Sequence, residues 1–99
     1  MTIEIRRTDD FTVWIDELKD HHARTRIARR IDRLKLGNPG DVKPVGEGVS
    51  ELRINVGPGY RVYFTQRSNV FVLLLCGGDK GSQDRDIRKA KALAAAWRV

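Results

Sequence analysis

Cysteine is nearly absent from this chain: Cys76 is the only one in 99 residues. A lone thiol excludes an intramolecular disulfide framework and any zinc site built on several cysteines. It ends an apolar run, so it reads as a small buried hydrophobe. Histidine is almost as scarce. His21 and His22 are neighbours, and adjacent helical residues point apart with no third soft ligand nearby, so no metal and no cofactor is expected. Long apolar runs are missing too. The longest, Val70 to Cys76, is too short to span a bilayer, and residues 1–20 mix Arg6 and Arg7 with acidic side chains where a secretion signal would be apolar. A cytoplasmic protein without membrane contact is the expectation. Phosphate-loop fingerprints are also lacking, and Gly57-Pro58-Gly59 and Gly77-Gly78 read as turns. Without repeats, low-complexity stretches or linkers, residues 1–99 read as one domain.

Acidic residues are outnumbered. Nineteen Lys and Arg stand against 13 Asp and Glu, a net charge of +6. Such a balance favours a polyanionic partner, nucleic acid or an acidic protein segment. With 40% hydrophobic and 32% charged residues the chain has the composition of a globular domain.

The hydrophobic period changes along the chain. Residues 2–7 alternate as a half-buried strand does. Thr8 is placed to cap a helix whose first turn carries Asp9 and Asp10, the sign favoured there, and Phe11, Trp14, Ile15 and Leu18 form its apolar stripe. Asp20-His21-His22 interrupts that pattern. A second helix to about Leu36 follows, with Ile27, Ile31 and Leu34 on one edge and Arg24, Arg26, Arg29, Arg30, Arg33 and Lys35 elsewhere. Its arginines suit nucleic acid, an antagonist protein or plain solvent equally. Gly37-Asn38-Pro39-Gly40 stops it.

From there the period becomes 2. Val42–Val45 with Pro44 reads as an edge strand. Leu52, Ile54 and Val56 alternate with Glu51, Arg53 and Asn55, and Tyr60–Gln66 follows the Gly57-Pro58-Gly59 turn. Arg67-Ser68-Asn69 turns into Val70–Cys76, apolar on both faces and therefore central. Gly77–Gly81 reads as a loop. A last helix, about Ser82 to Trp97, carries Ile87, Ala90, Ala94 and Trp97 on one stripe, and Asp84 and Asp86 complement its dipole. The expectation is an α+β fold in the order β-α-α-β-β-β-β-α. It has a mostly antiparallel twisted sheet, an N-terminal helical hairpin and a C-terminal helix, with helices on one face.

Strand parity then suggests a site. If Leu52, Ile54, Val56, Val62 and Phe64 face the helices, then Arg53, Asn55, Arg61, Tyr63 and Thr65 share an open face, with Lys80 in the loop beyond the central strand. Arginine forks and a lysine point charge suit phosphates, and tyrosine suits a base. The plainer reading is that strand arginines face solvent and pair with neighbours such as Glu51.

Three segments carry a resemblance. They are Lys43-Pro44-Val45-Gly46-Glu47-Gly48-Val49-Ser50-Glu51-Leu52-Arg53, Gly57-Pro58-Gly59-Tyr60-Arg61-Val62-Tyr63-Phe64, and Leu73-Leu74-Leu75-Cys76-Gly77-Gly78-Asp79-Lys80. Together with Gln83-Asp84-Arg85-Asp86-Ile87 they resemble the RelE/ParE toxin superfamily, closest to its HigB-like branch of addiction-module killer proteins. The resemblance implies a type II toxin that cuts messenger RNA on the ribosome without metal, by attack of a ribose 2′-hydroxyl on the adjacent phosphate. It implies catalytic roles for Arg61, Lys80 and Arg53, and RNA contacts from Tyr63, Lys43 and Asn55. Tyr60, of opposite parity to Arg61, is expected to be structural. The implied partners are ribosome, mRNA and an antitoxin with a helix-turn-helix DNA-binding domain, covering the Arg53/Arg61/Lys80 cleft or docking on the basic helices. The chain departs from the pattern at its end, where the last twelve residues hold neither His nor Tyr, so the general base and acid are unassigned. Two alternatives stand beside the nuclease: a ParE-like inhibitor of DNA gyrase, and a module that keeps antitoxin binding without toxicity.

Overall fold

A computed structural model describes residues 3–68 and 71–97. The strand expected from residue 2 and the turn and strand start expected at Asn69 and Val70 therefore lie partly outside the described residues. The order is β1 (Glu4–Arg7), α1 (Asp9–Glu17), α2 (His21–Lys35), β2 (Val42–Gly46), β3 (Val49–Ile54), β4 (Tyr60–Arg67), β5 (Phe71–Gly78), a short 3-10 turn (Lys80–Ser82) and α3 (Gln83–Ala96). Among the described residues no helix is long and apolar enough to cross a membrane.

The helix ends follow from local chemistry. Thr8 Oγ1 accepts from the Phe11 N–H and donates to the Leu75 carbonyl, so one hydroxyl caps α1 and pins it to β5. Asp20 accepts from the Ala23 N–H, making His21 and His22 the exposed first turn of α2 rather than a break before it. At the other end the Gly37 N–H reaches Leu34 O and the Asn38 N–H reaches Arg33 O, with Gly37 at φ +84°. That is a Schellman stop, and only glycine adopts its left-handed position without strain.

The five strands form one mixed sheet, ordered β1-β5-β4-β3-β2. β1 runs parallel to β5, and the other neighbours are antiparallel. Among the described residues β1 precedes the helical pair, and α1 packs on β5 while α2 packs on β3. Helices also cover both faces of the sheet, not one. Phe11 of α1 and Ile27 and Leu34 of α2 pack on Leu52, Ile54, Val62, Phe64, Val72 and Leu74 of the sheet. On the opposite face α3 buries Val49, Tyr63, Leu73, Leu75 and Cys76 against Ala90 and Ala94. The reason is β5 itself, since a strand apolar on both faces needs cover on both.

The β4–β5 register slips between Tyr63 and Phe64, where Tyr63 faces Cys76 and Phe64 faces Leu74. This bulge reverses the parity of β5 beyond Leu75. Cys76 consequently points under α3, Gly77 lies against Trp14 of α1, and Gly78 against Asp86 of α3. The two glycines are thus not a turn. They end β5 where a Cβ would sit 2.3 Å from Trp14 Cε3 or 1.8 Å from Asp86 Oδ2. Asp86 is likewise more than a dipole complement, because it is buried and accepts from Ser82 Oγ.

Candidate functional site

The β3–β4 register sets Arg53 directly opposite Arg61, Ile54 opposite Tyr60 and Glu51 opposite Tyr63. The turn between the strands folds back at Gly57 and Gly59, both at positive φ. At this end a cleft of about 230 Å³ is lined by Asp41, Arg53, Ile54, Asn55, Gly59, Tyr60 and Arg61. Behind it Arg30 of α2 donates to the carbonyls of Arg53, Pro39 and Asp41, fixing the β2–β3 corner. Burial, then the nearby charge of Arg33, lowers the Arg30 pKa, while Asp41 opposes the shift.

Arg61 is 8% exposed. Its Nη1 donates to Gly59 O at 2.6 Å, and its Nε lies 3.4 Å from Glu51 Oε2. Arg53 is more open, with Nε 4.0 Å from both Asp41 and Glu51. Lys80 is exposed and borders the cleft without lining it: its N–H reaches Pro58 O at 3.4 Å, and its Cβ lies over Gly59. It opens a neighbouring groove with Gln83, Arg85 and Arg88. Tyr60 stands edge-on to Trp14, 6.3 Å between ring centres, and also lines the cleft. Burial, then the charges of Asp20 and Asp79, raises its phenol pKa. It therefore stays protonated at neutral pH, a hydrogen-bond donor and not a base.

Of the six residues read from the sequence, Arg53, Arg61 and Asn55 meet in the cleft, and Lys80 stands at its rim. Lys43 sits on the edge strand opposite Glu51, exposed and away from the cleft lining. Tyr63 requires a correction. It has no exposed surface, its hydroxyl donates to Glu51 Oε2 at 3.0 Å, and α3 lies over it. Burial first, and then Glu51, pushes its phenol pKa far up. A ring so enclosed has no face for a base. Thr65, expected on the same open face, is also buried and donates to Gly48 O.

Glu51, which the sequence reading names only as a surface partner for the strand arginines, is instead part of the site. It is 1% exposed and joins Tyr63, Gln83 and Arg61 at Oε2, with Oε1 lacking a hydrogen bond. The available signal was its spacing: two residues before Arg53, it shares that arginine's face of the strand.

Residues 13–96 match the family described as "Phage derived protein Gp49-like (DUF891)". A Haemophilus influenzae protein described as an "Uncharacterized protein" is 52% identical over 94 residues, which is 95% of each chain.

Proposed function

The chain belongs to the phage-derived Gp49-like family, and on that premise we propose that it is the toxin of a type II toxin–antitoxin module, acting as a metal-independent endoribonuclease on ribosome-bound mRNA. The likeness of its Glu51-Leu52-Arg53, Gly59-Tyr60-Arg61-Val62 and Gly78-Asp79-Lys80 segments to RelE/ParE toxins of the HigB-like branch supports this reading. The observation that carries it is the pairing of Arg53 and Arg61 across two strands, lining one small cleft with Lys80 at its rim.

Two guanidinium groups facing one space suit the non-bridging oxygens of a phosphodiester, whose charge grows as a ribose 2′-oxygen attacks. The new 2′-oxygen–phosphorus bond replaces the phosphorus–5′-oxygen bond. A cyclic 2′,3′-phosphate and a 5′-hydroxyl result, the proton of the 2′-hydroxyl ending on the departing oxygen. Arg61 and Arg53 stabilise the phosphorane, Asn55 orients the nucleotide, and Lys80 or Tyr60 supplies positive charge or a hydrogen bond at the leaving oxygen. Alignment of the 2′-hydroxyl is assigned to the ribosome, which offsets a cleft poor in bases. A cognate antitoxin with a helix-turn-helix domain silences the toxin by covering this cleft or docking on the exposed arginines of α2.

The test is cleavage of a defined mRNA on programmed ribosomes, with cut sites mapped. Arg61→Ala is expected to lower the rate about a hundredfold, as loss of one charge-stabilising donor does elsewhere. Lys80→Ala, at an exposed position that leaves the core intact, should lower it less. Intact mRNA with wild-type protein overturns the reading, and growth arrest with cleaved DNA complexes instead would assign the protein to gyrase.

A further inference from the structure

We infer that Glu51 is the positioning residue of this cleft: its buried carboxylate holds Arg53 and Arg61 side by side and fixes which edge of the Arg61 guanidinium faces the ligand. The inference rests on the reading of the cleft as a phosphate site. Arg53 and Arg61 are direct cross-strand partners, and like charges so placed repel. Glu51 supplies the one fully buried negative charge within reach of both among the described residues, 3.4 Å from Arg61 Nε and 4.0 Å from Arg53 Nε.

The geometry fixes the arginine from two sides. Gly59 O takes one Arg61 Nη1 hydrogen, and Glu51 stands at the Nε edge. Arg61 also lines the cleft, so the donors not held by Gly59 and Glu51 are the ones left for a ligand there. Glu51 is itself held, because Tyr63 Oη and Gln83 Nε2 donate to Oε2 at 3.0 and 2.9 Å. Gln83 opens α3, so the helix that seals this face also seats the carboxylate. Burying a carboxylate is costly, and its Oε1 has no hydrogen-bond partner here. A glutamine would fill the same space and still accept from Tyr63 without burying a carboxylate. The charge is what it would lack. Arg61 Nε is also buried without a hydrogen bond, so the pair is held by charge at ion-pair distance and not by a well-aligned bond.

Glu51→Gln keeps the shape and an acceptor for Tyr63 but removes the charge. Two readouts are needed. In a nitrogen-15 spectrum, with Arg61→Lys to assign the signal, the Arg61 Nε–H of the wild type should be sharp and set apart from exposed arginines. In Glu51→Gln it should move towards them. On programmed ribosomes the saturating cleavage rate should fall about tenfold to a hundredfold, the scale of a small misplacement of a reacting group. Affinity for a single-stranded RNA oligonucleotide should hold or tighten, since a negative charge has been removed.

A merely structural role would lower melting temperature and active fraction alike, leaving the rate per folded molecule and the Arg61 signal unchanged. Either unchanged readout overturns the inference. If Glu51→Gln does not fold, Tyr63→Phe and Gln83→Ala keep the charge but loosen its seat, and each should slow cleavage severalfold. Wild-type rates in both would overturn it. Should the wild type cut no RNA, the nuclease reading falls on its own, and the Arg61 signal still decides whether Glu51 holds that guanidinium.

Discussion

Adding one methyl group at Gly77 tests the packing that carries this fold. An alanine Cβ there would lie 2.3, 2.4 and 2.5 Å from Cε3, Cζ3 and Cδ2 of Trp14. Non-bonded carbons settle at about 3.5–4.0 Å, so the indole or the strand must retreat by about 1 Å or more. The ring is half-buried, and on its inner side it meets two other aromatics. It is tilted against Phe11 at 5.9 Å between centres and stands edge-on to Tyr60 at 6.3 Å. Overpacking a filled core costs about 1–3 kcal/mol, and a clash with three ring atoms belongs to the upper half of that range. In a domain of this size each kcal/mol moves the melting temperature by about 4–8 °C, giving an expected loss of about 10–20 °C for Gly77→Ala. The measurement is thermal unfolding by circular dichroism of Gly77→Ala, Trp14→Ala and the double variant. With the indole gone the methyl has space, so the cycle should show a coupling of about 2 kcal/mol. Melting within about 2 °C of wild type, or strictly additive losses, would refute the placement of Trp14 over the end of β5.

Two further outcomes follow from groups that do not line the cleft. Burial, and then Asp86, pushes the Cys76 thiol up to about 12 from an ordinary 9.0, so the native thiol stays protonated where an unfolded one ionises. Its contribution to stability is complete below pH 9 and is lost as pH rises from there towards 12. Urea midpoints should fall more steeply with pH above 9 in wild type than in Cys76→Ala, and the native thiol should resist a disulfide reagent until the protein unfolds. Tyr63, shifted in the same direction, keeps some slope in both. Replacing Arg30 by Met removes a charged donor from three carbonyls and should cost about 2 kcal/mol in chemical denaturation. Amide exchange around Asp41 and Arg53 should rise, and Arg30→Lys should restore little, because one ammonium cannot reproduce the planar fork.

Much of the local structure is legible because its causes are local. Thr8 and Asp20 cap their helices through the chain three residues ahead, Gly37 stops α2 in its own turn, and alternation in β3 and β4 sorts Leu52, Ile54, Val62 and Phe64 onto one face. The pairing of Arg53 with Arg61 follows from the short turn between those strands, so half of the candidate cleft could be found from parity alone. The rest depends on what comes to lie over the second face. Tyr63 and Thr65 look like open-face residues until α3 is placed on them. Gly77 and Gly78 look like a turn until Trp14 and Asp86 arrive from elements 63 and 8 residues away.

The sequence by itself determined the period of each element, its start and stop signals and the cationic balance. These are short-range patterns, or direct properties of the residues. Only the tertiary structure decided that helices cover both faces, that β1 joins β5 in parallel, and that Glu51 stands buried between two arginines. Strand alternation says which side chains share a face but not what covers that face. The covering element comes from distant sequence, and it turns an exposed tyrosine into core and a strand glutamate into the buried countercharge of the cleft.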